Sequence, residues 1–265
     1  MTKSFFPWMG GKSRLAKTII RQIPDHACYC EVFAGAANIL FAKPPSKSEV
    51  LNDINGDLIT LFRVVKHHRR EFLRQLLLIT HSRQDFDDFK SQRGQTDIQQ
   101  SARFYMILKA AFGGKGGDLN PTFGYGTTGK ARFSRTALAP VFKCHKRLSG
   151  VTIENTDFQD IFKRYDRKHT FFYCDPPYYE TAGYAAKFTL DHQKQLADIL
   201  KSIKGKFLLS INDHPTIRKL YKGCQVKKLT TKYTVARDKT AAAQPRGELL
   251  IANYRLNKIE SVKPA

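Results

Sequence analysis

Residues 169–180, HTFFYCDPPYYE, carry a run of strand-forming side chains, Thr170 to Cys174, into Asp175, two prolines and two tyrosines. Proline has no backbone N–H, and the residue before a proline is pushed towards extended conformations. The stretch Asp175-Pro176-Pro177-Tyr178 therefore offers acceptors and few donors: the Asp175 carboxylate, neighbouring carbonyls, and the Tyr178 ring as a flat surface. Such a site suits a planar –NH2 group, of which the exocyclic amine of adenine is one. That nitrogen is a poor nucleophile because its lone pair is delocalised into the ring. Two acceptors holding its two hydrogens would favour a more tetrahedral nitrogen and free the lone pair. Asp, Pro and Tyr also make ordinary turns after strands, so the tetrapeptide gains its weight from its surroundings.

Four further stretches place chemistry near strand ends. In EVFAGAANILF, 31–41, a strand ends in Phe33 and Gly35 opens a turn into a helix, which lets a ligand approach the backbone. Ala36 and Ala37 stand where the dinucleotide fingerprint G-x-G-x-x-G would have a second glycine, so a pyrophosphate cofactor is disfavoured, and an ordinary strand-to-helix turn also accounts for the stretch. In LNDIN, 51–55, Asp53 lies 18 residues after Gly35, near the spacing at which α/β folds place a carboxylate for ribose hydroxyls. A helix N-cap is the other common use of such an aspartate. WMGGKS, 8–13, resembles the end of a phosphate-binding loop but has Phe6 where that motif needs glycine, and no strand precedes it. A Gly-Gly turn at Gly10 that brings Trp8 and Lys12 to a cofactor remains open. In ENTDF, 154–158, Asp157 could accept from an amine and Phe158 could flank a purine. No HExxH or PCxxC pattern occurs, so metal-assisted hydrolysis and zinc deamination lack their ligands and no metal is expected.

The elements that must position these residues follow from periodicity. CYCEVF (28–33), SEVLNDIN (48–55), GVTIENTDF (150–158), TFFYCD (170–175) and KFLLSIND (206–213) read as strands. KSRLAKTIIRQ (12–22), the stretch after Gly35, DLITLFRVVKHH (57–68) and LDHQKQLADILKSI (190–203) read as helices. QVKKLTTKYTV and GELLIANYRL close the chain with strand-type alternation. This order implies an α/β fold, a parallel sheet with helices on its faces. Residues 98–150 interrupt it with nine Lys/Arg against one carboxylate, Asp118, and residues 113–129 hold seven of the 17 glycines. Within it GGKGGDLNPTFGYGTTGKARFSR (113–135) reads as loops and a β-hairpin, with Thr127-Thr128-Gly129-Lys130 near a turn. Residues 67–148 are therefore assigned as an insertion between 1–66 and 149–265.

The 265 residues carry 45 Lys+Arg against 23 Asp+Glu, a formal net charge of +22. Charge of that size predicts attraction to a polyanion. With 12% aromatic residues and no segment approaching the roughly 20 apolar residues of a membrane span, nucleic acid is favoured over membrane. The opening residues lack the apolar stretch of a secretory signal. The five cysteines have neither disulfide-framework nor zinc spacing, so a reduced cytoplasm is expected and Cys28 and Cys30 read as strand residues. The runs KHHRR (66–70) and KCHKR (143–147) are of a kind that usually forms solvated faces. Here they flank the basic insertion, which favours phosphate contact.

Taken in order, WMGGK, EVFAGAANILF, NDIN, NTDF, DPPY, LLSIND and GELLIAN resemble the Dam-type (D12 class, alpha group) DNA N6-adenine methyltransferases over nearly the whole chain apart from the insertion. The resemblance implies a Rossmann-like mixed sheet, S-adenosyl-L-methionine as cofactor, double-stranded DNA as substrate, and a DNA-recognition domain inserted at 67–148. Carried over by position, Trp8, Gly10 and Lys12 would border the cofactor, Phe33 and Gly35 would form the methionine-side loop, and Asp53 would take the ribose hydroxyls. Asp157 and Phe158 would hold the cofactor's adenine. Asp175, also a neighbour of the cofactor, and the carbonyl of Pro176 would bind the target amine, with Pro177 in the same acceptor wall and Tyr178 stacked on a flipped base. The mechanism implied is in-line attack on a sulfonium methyl group, helped by positioning and electrostatics.

Two departures qualify the resemblance. The turn reads Ala-Gly-Ala-Ala where many relatives have Gly-x-Gly, and GGKGGD (113–118) replaces the stretch usual in the GATC-reading branch. GATC specificity is therefore not carried over. Basic groups on a Gly-rich arm would favour phosphate contact over base readout, so relaxed or short-site specificity is expected, as would suit a phage or prophage enzyme. Lys130, Arg132 and Arg135 are the first expected DNA contacts, with Lys115 and Tyr125 behind them. A cytoplasmic monomer with no obligate protein partner is expected. The alternatives are methyl transfer to another amine (cytosine N4, RNA adenine or protein glutamine) and an inactive DNA-binding relative.

Overall fold

Strands β1 (Cys28–Glu31) and β4 (Thr170–Cys174) are buried at every position, which is why CYCE and TFFYC read as unbroken runs rather than as alternation. The computed structural model describes residues 2–117, 120–125, 131, 133, 138–180, 188–229 and 247–258. Within them a seven-stranded sheet has the order β3-β2-β1-β4-β5-β7-β6. Strands β2 (Ser48–Asn52), β3 (Val151–Glu154) and β5 (Lys206–Asn212) run parallel with β1 and β4. β7 (Glu248–Ala252) is antiparallel to both β5 and β6 (Gln225–Leu229). This is a Rossmann-like mixed sheet, as expected.

Helices cover both faces. Tyr29, Leu51, Phe171, Tyr173 and Leu250 point into one core with α1 (Ala16–Ile20), α2 (Asn38–Ala42) and α3 (Gly56–His67). Their neighbours Cys28, Cys30, Val50, Phe172 and Cys174 point into the other, with α8 (Phe158–Tyr165), α9 (Leu190–Ser202) and α10 (Pro215–Leu220). The period of two along each strand assigns the side chains to these cores. The cysteines are free, and Cys28 and Cys30 lie buried on β1 as expected.

Residues 69–148 contribute four helices, α4 (Arg69–Leu78), α5 (Arg83–Ser91), α6 (Asp97–Ala110) and α7 (Ala139–Leu148), on either side of the 113–135 stretch expected as loops and a hairpin. Helix α6 escaped periodicity because it is buried nearly all round, at Ser101, Ala102, Tyr105 to Leu108 and Ala110, and a helix without a polar face shows no stripe. Its Tyr105 stacks on Phe5 at 5.9 Å and the hydroxyl donates to the Phe5 carbonyl at 3.2 Å. These helices thus share the core of the sheet's first face.

Gly116 and Gly124 of the segment are packed. A Cβ on Gly116 would lie 2.4 Å from Leu108 Cα, and one on Gly124 would lie 2.9 Å from the Ala110 carbonyl oxygen. Close approach of backbone explains them better than a flexible arm. Of the expected hairpin, only an isolated bridge between Ala111 and Phe123 falls within the described residues, and the Thr127–Lys130 turn falls outside them. Helix α1 is shorter than the expected 12–22, because residues 12–15 turn instead, with Leu15 N–H donating to the Lys12 carbonyl at 3.0 Å.

Candidate active site

Strand order reverses between β1 and β4, so the connections leaving their carboxyl ends diverge and open a crevice, the usual binding place in open α/β sheets. Glu31 pairs in register with Tyr173. The turn after β1 and the Asp-Pro-Pro-Tyr stretch after β4 are therefore neighbours, although far apart in sequence. One cavity is lined by both, together with Trp8, Gly10, Lys12, Asp53, Asp157 and Phe158.

Asp175 is the centre of a polar cluster. Lys12 Nζ lies 2.8 Å from its Oδ2 and 2.7 Å from its Oδ1, and donates to the Gly10 carbonyl at 2.8 Å. Ser210 Oγ donates to Asp175 Oδ1 at 2.9 Å and meets the Tyr173 hydroxyl at 3.0 Å. Glu248 Oε1, from β7, stands 3.7 Å from the same ammonium, and that ammonium lies 4.9 Å from the centre of the Tyr178 ring. Burial raises the Asp175 pKa, against the opposing pull of Lys12 and Ser210. Burial likewise raises Glu248, with Lys12 opposing. Burial on its own would lower Lys12, but Asp175 and Glu248 outweigh it and hold the ammonium above its ordinary range. Lys12 is 3% exposed and its charge persists because two carboxylates face it.

The stretch is fixed from behind. Gln193 Nε2 donates to the Pro177 carbonyl at 3.1 Å, and the Asn212 amide both accepts from Tyr179 N–H and donates to its carbonyl, each at 3.1 Å. Among the described residues the Pro176 carbonyl accepts no hydrogen bond, which leaves it available beside Asp175.

The turn after β1 is as tightly made. Gly35 has φ +46°, and a Cβ there would lie 2.8 Å from the Trp8 indole. A Cβ on Gly117 would lie 2.7 Å from the other end of the indole, so Trp8 is held between two glycines. Ala37 is left-handed with φ 50°, a conformation in which glycine meets no Cβ penalty. Asp53 accepts from Gly35 N–H at 2.9 Å through Oδ2 and from Asn55 N–H at 2.9 Å through Oδ1. Burial raises its pKa, against those same donors. Asp53 is not a helix cap: that position on α3 belongs to Asn55, which accepts from Leu58 N–H. Asp157 does cap, taking Gln159 N–H at 2.8 Å at the start of α8. Phe158 follows it, with Phe33 at 5.8 Å and Phe188 at 5.7 Å between ring centres.

A profile of the D12 class N6 adenine-specific DNA methyltransferases matches residues 8–235. The chain belongs to this family. It is 29% identical to the DNA adenine methylase of Haemophilus influenzae over 89% of this chain and 88% of that one. It is 28% identical to the type II methyltransferase M.MjaIII of Methanocaldococcus jannaschii, over 95% of this chain and 99% of the other. With M.CviBI of Paramecium bursaria Chlorella virus NC1A it shares 26% identity over 83% and 87% of the two chains. This protein is accordingly an adenine-specific DNA methyltransferase whose substrate is DNA, and it uses a methyl donor.

Several residues of the candidate site gave no separate signal in the sequence. Ser210 and Glu248 lie within LLSIND and GELLIAN, but a serine and a glutamate inside strands carry no mark of what they face. Glu31 lines the cavity as well, accepting from the Tyr29 hydroxyl at 2.7 Å and Leu40 N–H at 2.9 Å. Asn52 ties three strand ends together, donating to the carbonyls of Val32 and Thr156 and accepting from Thr156 N–H. Phe188 sits outside every motif.

Of the expected DNA contacts, Lys115 and Tyr125 are exposed, and Tyr125 carries the Arg83 guanidinium 5.5 Å from its ring centre. Lys130, Arg132 and Arg135 lie outside the described residues. Among the described residues no helix is long and apolar enough to cross a membrane.

Proposed function

We propose that the methyl donor is S-adenosyl-L-methionine and that the target amine binds where the Lys12 ammonium now meets Asp175. The observation that carries this is the cluster itself: a buried –NH3+ held by a carboxylate that an Asp-Pro-Pro-Tyr stretch supplies, with an aromatic ring over it, at the switch point of the sheet. An adenine –NH2 presents two of the same N–H donors. Asp175 and the Pro176 carbonyl would accept them, Tyr178 would stack on the ring, and the base would reach this depth by leaving the duplex stack. Holding both hydrogens in acceptors draws the nitrogen towards a tetrahedral shape and frees its lone pair. Lys12 keeps the Gly10 carbonyl, Glu248 and the Tyr178 face as partners when the amine takes its place on Asp175.

The cavity suits the donor. Each Asp53 oxygen uses one lone pair on a backbone N–H, which leaves the other for a ribose hydroxyl. Phe33, Phe158 and Phe188 offer flat surfaces for a purine, with Asp157 at the rim. Trp8, Gly10 and Gly35 border the space nearest Asp175. When bound, S-adenosyl-L-methionine supplies a methyl group on a positively charged sulfur. The protein's part is to place that methyl and the nitrogen lone pair in line and to exclude water, an effect of positioning more than of acid–base chemistry. The raised Asp175 pKa fits a carboxylate poised in a low-dielectric site, where hydrogen bonds to developing charge count for more.

Residues 67–148 are proposed as the DNA-recognition insertion, with Lys115, Tyr125, Lys130, Arg132 and Arg135 meeting DNA and Arg83 joining Tyr125. Charge without an evident base-reading set supports short or relaxed site specificity. The test is transfer of labelled methyl from S-adenosyl-L-methionine to unmethylated duplex DNA, with product nucleosides identified and positions sequenced. N6-methyladenine at many short contexts is the expected result. Methylation confined to one long site would remove the specificity proposal. Label in cytosine would remove the assignment of the target amine.

A further inference from the structure

Two carboxylates share one ammonium at the carboxyl end of the sheet, and they share it unequally. Lys12 Nζ is 2.7 and 2.8 Å from the Asp175 oxygens but 3.7 Å from Glu248 Oε1. Glu248 is 1% exposed, and among the described residues neither of its oxygens accepts a hydrogen bond. Buried polar groups are ordinarily hydrogen-bonded. The other buried glutamates follow that rule: Glu31 takes the Tyr29 hydroxyl and Leu40 N–H, and Glu49 takes Lys43, Arg147 and Ser46 N–H. Glu248 departs from it, and it does so beside an ammonium that is committed to another carboxylate.

The position of Glu248 is fixed by the sheet. It opens β7 and pairs in register with Asn212 of β5 on one side and Leu229 of β6 on the other. Asn212 also clamps the backbone of Tyr179, so one strand end sets both the carboxylate and the Asp-Pro-Pro-Tyr stretch. Lys12 has more freedom. It precedes α1 rather than lying in it, and its ammonium carries three donors on a flexible four-carbon stem. Hydrogen bonds of this type close at roughly 2.7–3.2 Å, so a shift of about 0.5–1 Å would bring the ammonium onto Glu248. The Gly10 carbonyl, 2.8 Å from the same nitrogen, is the pivot of that movement.

With the target amine bound at Asp175, Lys12 loses its closest partner. Lys12 is 3% exposed, and a buried ammonium left with a carbonyl and no carboxylate is strongly disfavoured. Asp175 on its own would therefore keep its lysine against a neutral amine, because the ammonium adds its charge to the hydrogen bond and –NH2 does not. We propose, on the strength of that placement of the target amine, that Glu248 is a positioning residue for methyl transfer: it takes over the Lys12 ammonium and so vacates Asp175 for the base. Lys12 keeps its proton throughout, and no covalent bond changes in the handover. Without a base Lys12 closes Asp175. With one, the ammonium rests on Glu248 and the Gly10 carbonyl.

The test uses the full chain and single-turnover transfer of labelled methyl from S-adenosyl-L-methionine to a duplex with one target adenine. Glu248→Gln keeps the shape of the side chain and removes its charge; Glu248→Asp keeps the charge and shortens the side chain. The Gln variant should lose about tenfold or more in rate and the Asp variant no more than about threefold, the range of coupling between neighbouring groups. A packing role gives the reverse order, and that order, or an unaffected Gln variant, would overturn the proposal. In a Lys12→Gln background, Glu248→Gln should change the rate less than about twofold further, because the lysine to be drawn off is absent. A second full loss there would overturn it as well. Binding without a methyl donor gives a readout independent of transfer. The affinity ratio between a duplex with adenine at the target and one with purine, which lacks the amine, should be about threefold larger in the wild type than in the Gln variant. Equal ratios would count against the handover. A wrong placement of the target amine would show elsewhere: Asp175→Ala would retain transfer, or label would appear outside adenine, whatever Glu248 does.

Discussion

At the carboxyl end of the sheet, Asp175 and Glu248 face one buried ammonium; at the amino end, Glu49 is held by Lys43 at 2.6 Å and by Arg147, while further cations stand in solvent. The chemistry of the groups is the same and the consequences differ. At the carboxyl end, burial raises Asp53, Asp175, Glu248 and Glu31, and at Asp175 the partner opposing burial is the Lys12 ammonium, which the proposed target amine would replace. At the amino end, Glu49 is also penalised by burial, yet Arg147 and Lys43 outweigh it and hold its pKa below the usual range. That carboxylate is committed to a pair that joins β2 to α7. Asp175 has a partner that a ligand amine can replace, and Glu49 has permanent ones that serve structure.

The contrast breaks most sharply at Asp175. Asp175→Ala should lower kcat by at least about 10²–10³-fold, the scale of removing an oriented polar group from a reacting centre, while DNA affinity changes little; retained methylation would falsify the assigned role. Arg147→Ala should act on the other variable. It removes a hydrogen-bonded ion pair and should cost roughly 2 kcal/mol of stability, with kcat per folded molecule unchanged. Unfolding by urea and initial rates on the same samples separate the two. Loss of kcat with stability intact would show that the ends are coupled.

Gly117→Ala tests whether the inserted segment reaches the site. A methyl group 2.7 Å from the Trp8 ring should move the indole off Gly35 and raise the dissociation constant for S-adenosyl-L-methionine about tenfold, or about 1.4 kcal/mol, read by titration calorimetry. Unchanged affinity would mean that Trp8 does not border the cofactor.

Glu31 gives a pH test. Burial pushes its pKa up to about 8, against hydrogen bonds from Tyr29 and Leu40. Between its unfolded value near 4.3 and about 8, the folded protein holds a proton that the unfolded chain lacks. Its contribution to stability is therefore present at low pH and lost as pH rises through that window, at up to ~1.4 kcal/mol per pH unit. Glu31→Gln should flatten the fall in stability between about pH 5 and 8, and parallel curves would contradict the shift. The smallest effect is expected at Ala37, where φ is 50°. Ala37→Gly removes a left-handed strain of ~1–2 kcal/mol and adds a glycine entropy cost of ~0.5–1 kcal/mol. A net gain of about 0.5 kcal/mol in urea unfolding should result, and a loss would mean that the buried methyl group matters more.

Much of the candidate site was legible because each motif sits at a strand end, and strand ends are marked locally. Unbroken apolar runs give β1 and β4, and Gly35, Asp53 and Asp175 follow their strands directly. Ser210 and Glu248 were not legible, since which face of a strand reaches a distant carboxylate depends on sheet order and register. Helix α6 and the packing of the segment after it were missed for a related reason. Burial on all sides erased the stripe of α6, and glycines that permit close packing at 116 and 124 look the same in sequence as glycines that permit motion.

By itself, then, the amino-acid sequence determined the strands, the acceptor-rich Asp-Pro-Pro-Tyr stretch, the cationic balance and the family, because these rest on local residue type, spacing and count. The tertiary structure alone decided that Lys12, Asp175, Ser210 and Glu248 form one cluster, that Gly117 reaches Trp8, and that Arg147 and Lys43 hold Glu49 at the far edge of the sheet. The cluster follows from antiparallel pairing of β5 with β7 beside β4, and all of these are contacts between residues far apart in the chain that no local pattern encodes.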